Sequence, residues 1–163
     1  MIICEDRYGV GFFEQLANRL KNEGFIPGYL NVKAARFYGP CNTKLDRQIK
    51  ALAYLSCFNF FLVVADADGE SQQRVKERIE GHVPKELRNS CNTVVLRHEV
   101  EEWICYDKGI QIDDKPSIIL KEKEGYEKYK LDSYVAKLDI NRLRKGCVSF
   151  CDFIECLLKC PEC

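Results

Sequence analysis

The sequence lacks a net charge, a long apolar run and the features of a secretory signal. Its 163 residues include 25 basic and 25 acidic side chains. No long-range field therefore attracts nucleic acid, and any phosphate binding must be local, through a basic patch or a bound cation. No apolar run approaches the length of a membrane span, and the start, MIICEDRYG, has neither the basic residues nor the apolar core of a signal peptide. We expect an intracellular, cytoplasmic protein that makes no contact with membranes.

Cysteine, by contrast, is abundant. The ten cysteines are Cys4, Cys41, Cys57, Cys91, Cys105, Cys147, Cys151, Cys156, Cys160 and Cys163. Half of them lie in the last stretch, CVSFCDFIECLLKCPEC, which contains a single C-x-x-C pair. Intracellular proteins of hyperthermophiles do contain disulfides, whereas four thiolates would suit a structural zinc ion. Because a second C-x-x-C pair is missing, we favour disulfides over zinc, with a pairing that the sequence does not reveal.

Segments typical of strands and helices alternate along the first two-thirds of the chain. The strand segments are residues 1–4 and the stretches YLNVKAARF, FNFFLVVAD and NTVVLRH. FNFFLVVAD is apolar almost throughout, as parallel strands buried on both faces are. This alternation predicts an α/β fold, with a mainly parallel sheet of about four strands and helices on both faces.

Helix boundaries are also indicated. The stretch GVGFFEQLANRLKNEG has apolar residues at helical spacing, and Gly24 is placed to end that helix. Thr43 is expected to cap the second helix and Ser71 the third, which Gly81 is expected to end.

The length predicts a single domain, 1–163. We divide it into a core, residues 1–110, and a C-terminal helical extension, residues 111–163, that packs on the core. The stretch DDKPSIILKEKEGYEKYK predicts a short helix and an exposed loop, and SFCDFIECLLKC predicts a closing helix with a wide apolar stripe.

Acidic residues follow three of the predicted strands. Ligands of an open parallel sheet bind beyond the carboxyl ends of its strands, so these acids are expected to meet at one edge. Gathering like charges is costly unless a cation neutralises them, and Mg²⁺ prefers carboxylate, water and phosphate oxygens. The acids are Glu5 and Asp6 after the first strand, Asp66 and Asp68 after the third, and Glu99, Glu101 and Glu102 after the fourth. The Asp-x-Asp spacing would send both aspartates to a similar side of an extended segment.

Other interpretations of DADGESQQRVKE fit less well. An EF-hand loop requires glycine at its sixth position, where Ser71 stands, and a helix before the loop, where a strand is predicted. A phosphatase that uses the first aspartate as nucleophile would carry the motif after its first strand. Acids that merely end a strand or cap a helix remain the structural alternative.

Further motifs accompany the acids. They are EVEEWICYD with Glu99, Glu101, Trp103 and Asp107, then Lys115-Pro116, Tyr126 with Lys128, and CVSFCDFIE with Ser149 and Phe150. With Glu5 and VVADADG, this pattern resembles the TOPRIM domain of topoisomerases, bacterial primases and OLD-type nucleases. It is most similar to small stand-alone TOPRIM-like proteins of bacteria and archaea, often linked to phage defence. The resemblance covers most of the chain, but the loop CEDRYGVGFFE and the cysteines depart from the family pattern.

The resemblance implies a TOPRIM-like fold and phosphodiester chemistry that depends on Mg²⁺ or Mn²⁺, with a nuclease as the expected activity. Glu5 would act as acid or base on a phosphodiester oxygen. Asp66 and Asp68 would hold the ion, and Glu101 or Glu99 would complete its shell. Trp103, although part of the motif, is expected in the core.

Nucleic acid, DNA or RNA, is the partner that this chemistry implies. Arg97 flanks the acids, and Arg142, Arg144 and Lys145 form the best local basic patch, although such runs are usually solvated faces. A second hypothesis is a non-catalytic, regulatory module that keeps the fold and binds metal or nucleic acid. The zero net charge and the altered loop after Glu5 favour this alternative.

Overall fold

The structure, a computed structural model, describes residues 1–37, 44–56 and 58–161. Within these residues the chain forms four strands: β1 (Ile2–Cys4), β2 (Ala34–Arg36), β3 (Phe61–Asp66) and β4 (Cys91–Leu96). They pair in parallel in the spatial order β2-β1-β3-β4. The predicted α/β fold with a four-stranded parallel sheet is therefore confirmed.

Helices connect and follow the strands. In the described part of the chain they are α1 (Arg7–Asn22), α2 (Lys44–Ser56), α3 (Gln72–His82), α4 (Glu101–Lys108), α5 (Pro116–Glu124), α6 (Ile140–Gly146) and α7 (Val148–Leu158). Two 3₁₀ segments, Lys85–Ser90 and Lys128–Lys137, complete the chain order. Among these described helices, none is long and apolar enough to span a membrane.

The sheet is covered on both faces, as predicted, because successive residues of a strand point to opposite sides. Leu62 and Val64 of β3 pack in one apolar cluster with residues of α1, α4 and α7. Phe61 and Val63 pack in a second cluster, together with residues of α2 and α3. Such two-sided burial explains the nearly continuous apolar run in β3.

Several predicted boundaries need correction. β2 is limited to three residues because its partner β1 offers only three for pairing. Gly24 follows α1 with φ +75°, a left-handed conformation that suits glycine and ends the helix as predicted. Gly81, however, lies inside α3, which continues to His82 and ends before Pro84 because the residue before a proline disfavours helical geometry. Ser71 precedes α3 without a side-chain capping bond, and Thr43 lies outside the described residues.

The C-terminal elements share the core of the sheet. Trp103 of α4 is fully buried, with its ring centroid 5.0 Å from that of Phe150 and 5.3 Å from that of Phe153. Phe13 of α1 lies on another side of the same indole, at 6.0 Å. α7 therefore packs on α4 through Trp103 and also lies directly against β4, and the expectation that this tryptophan is a core residue is confirmed.

Most of the described cysteines are thiols. Those free of disulfides are Cys4, Cys91, Cys105, Cys147, Cys151 and Cys156. Cys41, Cys57 and Cys163 lie outside the described residues, so the disulfide prediction is tested only in part, and no disulfide is seen at these six positions. Burial, helped by the charges of Asp6 and Asp66, raises the pKa of the Cys4 thiol to about 12.

Candidate functional site

The acids that follow β1, β3 and β4 meet because these three strands are direct neighbours. Cys4 pairs with Val64, and Asp66 pairs with Leu96, so the three carboxyl ends lie side by side. Below them is a pocket of about 20 Å³, room for one water-sized species. Its polar lining consists of Glu5, Asp6, Asp66, Glu99, Glu101 and Lys128.

Asp68 lies outside this pocket, because its backbone turns away from the strand. Its φ of +46° is a left-handed conformation, which aspartate tolerates better than most residues, and Gly69 follows at +86°. Asp68 instead lines an adjacent groove of about 260 Å³ with Glu99, where its carboxylate is 3.2 Å from the ammonium of Lys115. The expectation that both aspartates point the same way from an extended segment therefore needs correction. Glu99 lines both the pocket and the groove, so it connects the cavity of Asp66 with that of Asp68.

The pKa values of Asp66 and Glu5 in the pocket are raised, because these acids are buried and crowded together. Burial raises the pKa of Asp66 to about 8, and the neighbouring charges of Glu5, Asp68, Glu101 and Glu99 add to the effect. Burial and the charge of Asp68 likewise raise the pKa of Glu5. Two forces that disfavour the ionised form, desolvation and like charge, thus act together here.

Glu101 is the most buried of these acids, with an exposed fraction of 0%. Its Oε1 accepts a hydrogen bond of 2.6 Å from the hydroxyl of Tyr126. Its Oε2 is buried and accepts no hydrogen bond from another residue of the described chain. Burial, followed by the charge of Glu99, raises the pKa of this carboxyl. A buried oxygen without a partner is unusual in folded proteins, and this one belongs to a residue that lines the pocket.

Lys128 supplies positive charge inside the acidic group. Its ammonium nitrogen lies 2.8 Å from Oδ2 of Asp6, 3.6 Å from Oε2 of Glu99 and 3.9 Å from Oε1 of Glu101. Burial lowers the pKa of Lys128, but the bond to Asp6 and the charges of Glu101, Asp6 and Glu99 outweigh it, so its pKa stands above the ordinary value.

The stretch of chain that leads up to Lys128 holds two of the glutamates in place. Lys115 precedes α5, and the backbone N–H of Ser117 in its first turn donates a 2.6 Å bond to Glu99. Tyr126, just after α5, holds Glu101. Lys115-Pro116 and Tyr126 with Lys128 are recognisable as motifs in the sequence, but the sequence does not place them at the acids. The fold shows why they matter: α5 runs so that the residues before and after it both reach the acids.

Glu102 differs from its neighbour Glu101 in having both oxygens bonded. Its Oε1 accepts from the Ser149 hydroxyl at 2.6 Å, and its Oε2 accepts from the backbone N–H of His98 at 2.9 Å. Ser149 in turn accepts a 2.9 Å bond from the indole of Trp103. Glu102 therefore serves the packing of α7 on α4, away from the pocket.

The predicted nucleic-acid contacts are divided between two places. Arg97 is exposed directly after β4, at the edge where the acids meet. Arg144 instead lies 4.9 Å from the ring of Phe25, beyond the C-terminal end of α1. Because Glu5 and Asp6 precede the other end of this 16-residue helix, about 24 Å separate the two positions. The structure therefore places Arg144 of the α6 patch, which also contains Arg142 and Lys145, away from the acids.

No ready-made metal cage occurs in the described residues: no three His, Cys, Asp or Glu side chains, in the pocket or among the cysteines of α7, are arranged as metal ligands. The donor set at the strand ends, consisting of carboxylate oxygens with one buried oxygen unpaired, still has the chemistry that Mg²⁺ and Mn²⁺ prefer. Comparisons with protein-family models, with curated proteins and with solved structures returned no match.

Proposed function

We propose that the protein is a TOPRIM-like, divalent-cation-dependent phosphodiesterase acting on nucleic acid, in the simplest case a nuclease. The observation that carries this proposal is the unpaired, fully buried oxygen of Glu101 beside Asp66 at the meeting point of three strand ends. Asp66 and Glu101 would hold Mg²⁺ or Mn²⁺. Glu99 and Asp68 would lie on the side of the adjacent groove, hereafter the outer groove. When bound, the ion would polarise a phosphate and offset the charge that develops on its oxygens.

Glu5 is the proposed acid or base. It lines the pocket, and its raised pKa moves its proton exchange towards neutral pH, where general acid–base groups work best. Lys115 and Arg97 are exposed around the outer groove and the end of β4, where they would meet phosphates of the strand being cleaved. Local contacts of this kind suit a protein whose formal net charge is zero.

The test is cleavage of labelled single- and double-stranded DNA and RNA with Mg²⁺, with Mn²⁺ and with EDTA. Cleavage is expected with the metals only. We expect Asp66→Asn to abolish it and Glu5→Gln to slow it by about 10²–10⁴, because an amide neither holds the ion nor moves the proton. Asp152→Asn, an exposed change on α7, is the matched control and should cleave normally.

A non-catalytic binding module is the second candidate, and the position of Lys128 favours it. An ammonium group already lies within 4 Å of three carboxylates, so part of the negative charge is neutralised without metal. Binding of labelled nucleic acid, measured by anisotropy, with no cleavage under any metal condition would support this candidate. The metal site itself is rejected if neither Mg²⁺ nor Mn²⁺ changes the melting temperature.

A further inference from the structure

Lys128 occupies an uncommon position for a lysine, between carboxylates that come from two different strand ends. Asp6 follows β1, whereas Glu99 and Glu101 follow β4, and the Lys128 ammonium lies within 4 Å of all three. Its side chain is 42% exposed, so its flexible stem leads from the surface into the pocket. The lysine thus bridges the acids from outside and does not form part of the core.

The acids are only partly neutralised by this contact. Seven carboxyl groups, those of Glu5, Asp6, Asp66, Asp68, Glu99, Glu101 and Asp114, line the pocket and the adjacent groove. The ammonium groups paired with them are those of Lys115, which contacts Asp68 in the outer groove, and Lys128, which contacts the inner acids. Lys128 is therefore the ammonium group that contacts the inner acids, and the carboxyl groups that line the pocket outnumber it.

A divalent cation that reached the unpaired oxygen of Glu101 would approach the same carboxylates that Lys128 now contacts. Two cations so close together in a poorly solvated pocket repel each other strongly. We infer that Lys128 is a built-in counter-ion that holds the inner site together without metal and that a divalent cation must displace. The inference rests on the proposed metal site and assigns a role to a residue that the site's ligands do not include. Once displaced, the ammonium group would stand at the rim of the pocket, available to a phosphate.

The test compares Mn²⁺ binding by the full chain and three variants, with free Mn²⁺ followed by electron paramagnetic resonance. Lys128→Met keeps the stem and removes the charge, and Lys128→Arg keeps the charge. Lys130→Met is the matched control, because Lys130 lies in the same 3₁₀ segment but pairs with the exposed Glu127. Melting temperatures in EDTA and in Mn²⁺ give a second readout that does not depend on activity.

We expect Lys128→Met to bind Mn²⁺ about tenfold more tightly than the wild type, which corresponds to the loss of a few partly screened ion pairs. Lys128→Arg and Lys130→Met should bind like the wild type. In EDTA, Lys128→Met should melt below the wild type, and Mn²⁺ should close that gap because the ion replaces the lost charge. Binding by Lys128→Met alone, with none measurable for the wild type, would also support the inference.

Equal or weaker Mn²⁺ binding by Lys128→Met, with clear binding by the wild type, would overturn this inference and leave the metal site intact. An absence of binding by the wild type and by all variants would overturn the inference together with the metal site of the proposed function. The two failures are therefore distinguishable in one set of titrations.

Discussion

Replacing Asp66 by asparagine should change the pH dependence of stability in a defined direction. The folded pKa of Asp66 is about 8, raised first by burial and then by the surrounding acids, whereas an aspartate in an unfolded chain titrates near pH 4. Between these values the folded protein holds a proton that the unfolded chain has lost. Stability therefore falls as the pH rises through this window, because a rise in pH favours the unfolded state, which binds fewer protons.

The expected magnitude follows from a single proton. One proton contributes at most about 1.4 kcal/mol for each pH unit to the free energy of unfolding. Asparagine has nearly the shape of protonated aspartate and does not titrate, so Asp66→Asn should remove this part of the slope. Between about pH 5 and about pH 7, the stability of the variant relative to the wild type should rise by about 3 kcal/mol.

Urea unfolding in EDTA at several pH values, for the wild type and for Asp66→Asn, measures this difference. Asp152→Asn, the exposed change on α7, controls for the loss of one carboxylate elsewhere and should show a constant offset. If the stability of Asp66→Asn also differs from the wild type by a constant amount across this range, the carboxylate titrates normally and the picture of a crowded, buried acid is wrong.

Three further predictions concern groups around the site. Ser149→Ala leaves both a buried glutamate oxygen and the indole N–H without their partner, so urea unfolding should show a loss of about 2–4 kcal/mol, against little change for the exposed Ser133→Ala. Tyr126→Phe removes the donor to Glu101 and should cost about 1–3 kcal/mol in EDTA, with Tyr129→Phe as the exposed control. The Cys4 thiol, with its pKa raised to about 12, should resist alkylation at neutral pH until the protein unfolds, as mass spectrometry of labelled peptides would show.

The sequence predicted the positions of Glu5, Asp66, Glu99 and Glu101 but not those of Asp68 and Glu102. FNFFLVVAD is apolar enough to identify a two-sided strand, and the parallel connection then fixes where its last residue, Asp66, must lie. The same reasoning applies to Glu5 after β1 and to Glu99 and Glu101 after β4. The structure then adds what sequence could not give: the strand order that makes β1, β3 and β4 neighbours.

Contacts between distant segments were not predictable in the same way. Lys128 is twenty-seven residues from Glu101 along the chain, and only the path of α5 brings its ammonium group back to the acids. The left-handed turn at Asp68 was also missed, because Asp-x-Asp-Gly is compatible with extended and turned backbones alike. The location of the α6 patch was likewise not predictable, since a basic run has no signal for which surface it will occupy.

The contrast between two adjacent glutamates gives the strongest reason to assign the pocket a ligand. Glu101 and Glu102 open the same helix, and both are buried. Each oxygen of Glu102 accepts a hydrogen bond from the protein, so this chain can satisfy a buried carboxylate where the carboxylate serves packing. Glu101, one residue earlier, keeps an oxygen that no other described residue bonds, in a pocket where acids outnumber ammonium groups. A purely structural network would gain stability from asparagine or glutamine at such positions. The acids of this pocket therefore destabilise the fold, and a cation bound there would offset that cost.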